Sequence, residues 1–194
     1  MPQSDERDLV RRCQTGDWSA FRALLEPHRE GLYRLACRLT SSSADADDVM
    51  QESLVKALRG LASFDARSAF ATWLWRIVCN TAADFRRHQR RRAASQRGEF
   101  PEPRALGSSG SDPLEIAAAG ELSEALDASL QELPFPQRAA FALVVFEGKT
   151  YAQTSEILGC AEGTVAWRIA AARERLTGRL APFLQNGRGD EHAV

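Results

Sequence analysis

The arginines and carboxylates of this chain are the side chains with the most chemical reach, and they are sorted into blocks. From Asp84 to Arg97 six arginines accompany one aspartate, a local charge of +5. From Asp45 to Glu52 there are four acids and no base, and from Glu99 to Glu132 eight acids and one arginine, a local −7. The whole chain nonetheless sums to −1 over 194 residues. Such segregation suits a molecule that turns different faces to different partners. Near-neutrality predicts weak DNA binding by the protein alone, so another component is expected to supply affinity. Nothing is spaced for covalent chemistry. No glycine-rich phosphate loop is present, and His28, His88 and His192 have no evident nucleophile nearby. Cys13, Cys37, Cys79 and Cys160 lie far apart without a Cys-x-x-Cys pair, so they read as small buried thiols rather than metal ligands. No catalytic residue, metal or cofactor is expected.

Recognition is what the charged blocks offer. On a helix from Ala44 to Leu61, Met50, Leu54, Leu58 and Leu61 line one side. Asp45, Asp48, Gln51, Glu52 and Val55 line another, set apart from the first at roughly 100° per residue. A face that mixes acids, an amide and an apolar residue suits docking on a basic helical partner, against the plainer reading of solvated charge. A second long helix is expected from Ala69 to about Arg92, with Trp73, Leu74, Ile77 and Val78 buried. Farther along it Asn80, Asp84, Arg87 and Arg91 fall at i, i+4, i+7 and i+11, within about 60° of one another, and Arg86, Arg90 and Arg92 lie beside them. Guanidinium groups suit phosphates and an asparagine amide suits a base edge, the competing reading being a solvated basic helix end.

The elements that must position these residues are all helical. Leu32, Leu35, Ala36 and Leu39 repeat at i, i+3, i+4 and i+7, and Leu122, Leu126, Leu130 and Leu133 make a similar stripe. No strand-length run alternates, so the fold class is all-α. Pro, Gly, Ser and acids without apolar period mark residues 95–120 as a linker longer than a compact domain tolerates as a loop. The expected organisation is an N-terminal extension to residue 20, a helical domain over 21–94, the linker, a second helical domain over 121–182 and a tail over 183–194. No apolar run approaches the roughly 20 residues of a membrane span, and MPQSDERDLV lacks a signal-peptide core, so no membrane insertion and a cytoplasmic location are expected.

In the second domain Pro134 and Pro136 suit the first turn of a helix that Phe141, Val144 and Val145 carry to Phe146. Thr150 and Gln153 form a capping box, Gly159 stops the short helix it starts, and a further helix runs from about Ala161 to Leu176. Ser155 supplies a small residue for close crossing, Val165 an apolar anchor, and Ile157, Leu158 and Ile169 the rest of the core. Two helices joined this way form the helix-turn-helix that reads DNA, with a plain helical hairpin as the alternative.

Taken in order, FRALL…LYRLACRL, DADDVMQESLVKALRGLASF, FATWLWRIVCNTAADFRR, LQELPFPQRAAF and TYAQTSEILGCAEGTVAWRIAAARERL resemble the extracytoplasmic-function sigma factors of bacterial RNA polymerase. The resemblance implies two small helical domains that bind core polymerase and promoter DNA, with phosphodiester synthesis left to the polymerase. It implies docking on the polymerase's largest subunit through Asp45, Asp48, Val49, Gln51, Glu52, Val55 and Leu61. It implies capture of the −10 non-template strand by Phe64, Asp65 and Arg67, in a loop pocket for a flipped base, together with Asn80, Asp84, Arg87 and Arg91. The −35 element would meet Tyr151, Glu162, Thr164, Ala166, Trp167, Arg168, Ala171 and Arg173. The acidic linker would thread through the polymerase, and an anti-sigma factor would hold the protein inactive in a stress or signal response. Two features depart from the family pattern. Gln153-Thr154-Ser155 stands where Glu-Ile-Ala is usual, and Ala166, Trp167, Ala170 and Ala171 leave the recognition helix apolar, suited to thymine methyls or DNA shape rather than bidentate contacts. Two other classes remain open at this point: a stand-alone DNA-binding regulator, and an interaction protein that keeps the fold without reading promoters.

Overall fold

Side-chain caps set where the helices of the N-terminal half begin. In the computed structural model, which describes residues 3–95 and 125–186, Asp17 accepts from the backbone N–H of Ser19 at 2.9 Å and of Ala20 at 3.3 Å, starting α2 (Trp18–Leu39). Ser42 accepts from the N–H of Asp45 at 3.1 Å and starts α3 (Ser43–Leu61). Each cap satisfies N–H groups that a helix start leaves without partners. α1 (Gln3–Gln14) precedes them and α4 (Phe70–Ser95) follows a loop. Leu32, Leu35, Ala36 and Leu39 are fully buried, as their spacing predicts, and pack with Ala46, Val49, Met50, Ala57, Leu74 and Val78. The N-terminal extension is not separate from this body: Val10 of α1 belongs to the same core. One expectation is corrected here. Trp73 and Ile77 are only half-buried, whereas Trp75, which the stripe omitted, is 3% exposed.

The C-terminal half is helical over 125–132 (α5), then forms α6 (Phe135–Phe141), α7 (Tyr151–Leu158) and α8 (Glu162–Asn186). No strand occurs among the described residues. The proline pair sits at the start of α6 as its fixed φ favours. The single helix expected to reach Phe146 instead changes to a π-helical turn over Ala142–Phe146, which leaves Val145 exposed. α8 continues ten residues beyond the expected Leu176. At the α7–α8 crossing Thr154 rather than Ser155 is fully buried, because Thr154 and Ile157, three apart, share the inward face. Ser155 is half-buried and its hydroxyl donates to the Ala152 carbonyl at 2.8 Å. Most of the acidic linker, together with Leu122 and the last eight residues, lies outside the described residues.

The two halves pack on one another. Ala139, Ala142, Leu143 and Ile157 join the core of α1–α4, while Leu130, Leu133, Phe141, Ala172 and Leu176 form a second cluster. The Glu147 side chain, 2% exposed, accepts from Arg34 at 3.0 Å and pairs with Arg38 at 3.7 Å, both on α2. Arg76 of α4 donates to the Glu156 carbonyl at 2.6 Å, and the Lys149 ammonium lies 4.4 Å from the Trp75 ring centroid. Gly31 makes this approach possible. A Cβ there would lie 3.1 Å from the Trp75 ring and 3.2 Å from the Glu147 carboxylate.

Candidate protein and nucleic-acid interfaces

The acidic face of α3 is real and continuous. Asp48, Gln51, Glu52 and Val55, at i, i+3, i+4 and i+7, are all exposed, and Val55 keeps 44% of its surface in solvent. Asp45 is half-buried, accepting from the Gln89 amide at 3.2 Å. Val49 and Leu61 do not belong to this face. Both lie in the core, 0% and 4% exposed, because their register turns them toward α2 and α4, and a docking partner cannot touch them directly. A cleft of about 580 Å³ runs beside the face between α2 and α3, where Arg29 and Tyr33 meet Asp47 and Gln51. Tyr33 is exposed, and Cys37 followed by a hydrogen bond to Asp47 raises its phenol pKa. Sequence reasoning missed this α2 wall, since Tyr33 sits between buried positions of an ordinary stripe.

On α4, Asn80, Arg87 and Arg91 point into solvent on one face. Asp84 is brought to the same place but its carboxylate is engaged, accepting from Arg87 at 3.0 Å and pairing with Lys56 at 3.8 Å. Lys56 also pairs with Glu52 at 2.8 Å and donates to the Thr81 hydroxyl at 3.3 Å, so one ammonium ties the acidic face of α3 to the basic face of α4. Arg86 departs from that basic group. It is half-buried with its guanidinium 5.7 Å from the Phe135 ring, and burial followed by repulsion from Arg90 lowers its pKa.

The loop between α3 and α4 holds Phe64, Asp65 and Arg67. Phe64 packs on Trp73 and Phe70, with ring centroids 5.0 and 6.0 Å apart, so its ring is half-buried rather than offered to solvent. Asp65 and Arg67 are exposed and paired with each other at 2.7 Å. Between them Ala66 adopts φ +55°, a left-handed conformation that a non-glycine residue occupies at a cost of roughly 1–3 kcal/mol. α1 lines the opposite side of a cleft beside this loop, a neighbour that no spacing of residues announces.

The helix-turn-helix has the capping box in full. Thr150 accepts from the Gln153 N–H at 3.1 Å and Gln153 accepts from the Thr150 N–H at 3.0 Å. Gly159 closes α7 at φ +62°, the left-handed cap its type permits, and Val165 and Ile169 anchor α8 under Ala140. Trp167 is 64% exposed on the side of α8 opposite the buried Val165, Ile169 and Ala172, and Glu162, Ala170 and Arg173 of α8 and Tyr151 of α7 are exposed as well. Thr164, Ala166 and Ala171 are half-buried. Arg168 turns back, donating to the Cys160 sulfur at 3.4 Å, so its guanidinium serves the turn.

Comparison with known proteins follows the same division. Residues 24–92 match the family described as Sigma-70 region 2, and residues 123–176 match Sigma-70, region 4. The ECF RNA polymerase sigma-E factor of Salmonella typhimurium is 35% identical over 188 residues, covering 94% of this chain and 98% of that protein. The RNA polymerase sigma-H factor of Pseudomonas aeruginosa is 33% identical over 190 residues, covering 95% and 98%. Among solved structures, the sigma factor RpoE in complex with the anti-sigma factor NepR from Bartonella quintana aligns at a TM-score of 0.69 and 29% identity. That alignment covers 83% of this chain and 96% of the other.

Proposed function

Because the chain belongs to the extracytoplasmic-function sigma factors, which direct promoter-dependent initiation by bacterial RNA polymerase, we propose how its surfaces divide that task. The α3 face of Asp48, Gln51, Glu52 and Val55 docks on the largest polymerase subunit. Asn80, Arg87 and Arg91 of α4 hold the non-template strand of the −10 element, with the loop over 62–69 taking up an extruded base. Tyr151, Trp167 and Arg173 of the helix-turn-helix meet the −35 element. The observation that carries this reading is the pair of oppositely charged exposed faces on adjacent helices, joined by Lys56. A polymerase and a nucleic-acid strand are the two partners those charges fit.

The polymerase supplies the bond-forming chemistry, and the chain contributes binding, which places it with polymerase and DNA in the cytoplasm. No helix among the described residues is long and apolar enough to cross a membrane. The solved complex of the sigma factor RpoE with the anti-sigma factor NepR supports an anti-sigma partner for this chain. The apolar outer face of α8 supports −35 recognition through phosphates, thymine methyls and groove shape more than through bidentate base contacts. Runoff transcription with purified core polymerase tests the whole assignment. The wild-type protein enables initiation at a subset of genomic promoters, and Asp48→Arg weakens its competition for core tenfold or more. Absence of initiation at every genomic promoter overturns it.

A further inference from the structure

The loop between α3 and α4 is held by its own contacts and, from outside, by α1. Ala66 sits at φ +55°, where non-glycine side chains are rare, so the surrounding structure must over-determine it. The Asp65–Arg67 pair flanks it, and α1 holds both ends of the loop. Gln14 donates its amide N–H groups to the Leu61 carbonyl at 3.2 Å and the Phe64 carbonyl at 3.1 Å, fixing the point where the chain leaves α3. Glu6 accepts from the Phe70 N–H at 3.2 Å, the point where the chain enters α4. A C-terminal carbonyl and an N-terminal N–H are groups that helices leave without intrahelical partners, and here one neighbouring helix satisfies both. Between α1 and the loop lies a cleft of about 590 Å³, with Arg7, Val10 and Arg11 opposite Phe64 to Ala69. That size falls within the roughly 300–1,000 Å³ of sites that enclose small organic groups. Its wall combines Val10 and Phe64 for a ring with the Arg7 and Arg11 guanidinium groups for a phosphate or base edge, and the Glu6 and Asp65 carboxylates that also line it are engaged by Phe70 and Arg67.

We propose that α1 is the second wall of the −10 base pocket: Gln14 is a positioning residue that locks the loop in its base-accepting form, and Arg11 contacts the extruded nucleotide. The occupant is an unpaired nucleotide of the non-template strand, and the inference rests on the reading of the loop given above. The test uses holoenzyme reconstituted from core polymerase and the full chain. Its probes are single-stranded −10 oligonucleotides that differ only at the extruded base. Gln14→Met keeps the length of the side chain and removes both donors. It is expected to lower discrimination between bases roughly tenfold, the equivalent of one to two net hydrogen bonds, while affinity for core is unchanged. Glu6→Met does the same from the other end of the loop, whereas Glu6→Gln, which still accepts from Phe70, restores the preference. Arg11→Gln weakens every oligonucleotide alike and lowers the salt slope by about 0.7, one single-strand phosphate contact. Full discrimination in Gln14→Met, or a loss only in proportion to lost core affinity, overturns the role of α1. A wild-type holoenzyme with no base preference would instead overturn the reading of the loop.

Discussion

Asn80, Arg87 and Arg91 keep their polar groups in solvent, while Asp84 between them commits its carboxylate to Arg87 and Lys56. A carboxylate facing a DNA strand repels phosphates, so Asp84 acts best by steering Arg87. Removing a base-edge or paired phosphate contact is worth about 1–3 kcal/mol. Asn80→Ala and Arg87→Ala are therefore each expected to lower promoter opening about 5- to 100-fold, read as permanganate reactivity of −10 thymines with holoenzyme. Unchanged reactivity in both variants removes this face from the site. The periodicity of one helix made the Asn80–Arg91 face legible in the sequence. The engagement of Asp84 was not legible, because Lys56 reaches it from a different helix and only packing brings them together. The burial of Val49 and Leu61 escaped for a related reason. A motif names consecutive residues, whereas a helix presents a partner with only one of its sides.

Element by element, the helix-turn-helix was the most legible part because its signals are local. A capping box and a glycine stop are written within ten residues, and the structure shows both hydrogen bonds and the left-handed Gly159. Thr150→Ala is expected to destabilise the α7 start by about 1 kcal/mol, measured as faster amide exchange over 151–157 with exchange in α2 unchanged. Equal acceleration in both would show that the two helices open as one unit. What local signals could not give is the identity of the crossing residue, Thr154 rather than Ser155, since adjacent small residues differ only in which faces the partner helix. The π-helical turn over Ala142–Phe146 was equally hidden. It places Phe146 against Phe141, with ring centroids 5.7 Å apart, and beneath the Arg38 guanidinium at 4.1 Å. Those contacts belong to the tertiary fold, and no spacing of residues announces them.

At the scale of the whole molecule, the two helical domains expected either side of the linker match separate family regions, and they also share a core and the Glu147–Arg34–Arg38 cluster, which no linker composition announces. A compact chain of this length has a radius of gyration of about 16 Å. Promoter elements about 25 base pairs apart are separated by roughly 85 Å of DNA at ~3.4 Å per pair. If the two halves hold those two elements as proposed, a chain this compact does not span both, and engagement of both elements is expected to part the halves; 29 residues reach roughly 100 Å when fully extended. Hydrogen bonds to charged groups contribute about 1.5–3 kcal/mol each, so Glu147→Arg, which adds repulsion, is expected to shift free protein toward an open form. Small-angle scattering reads this as a larger radius of gyration; an unchanged radius would show that apolar contacts alone keep it closed. The central claim is that the chain reads promoters as a part of polymerase rather than alone, and footprinting with and without core polymerase tests it most directly. Promoter protection and −10 opening are expected only when core and protein are both present, with both lost in the double variant Asp48→Arg, Glu52→Arg. Tight, sequence-specific protection by the protein alone, indifferent to those two charges, would contradict it.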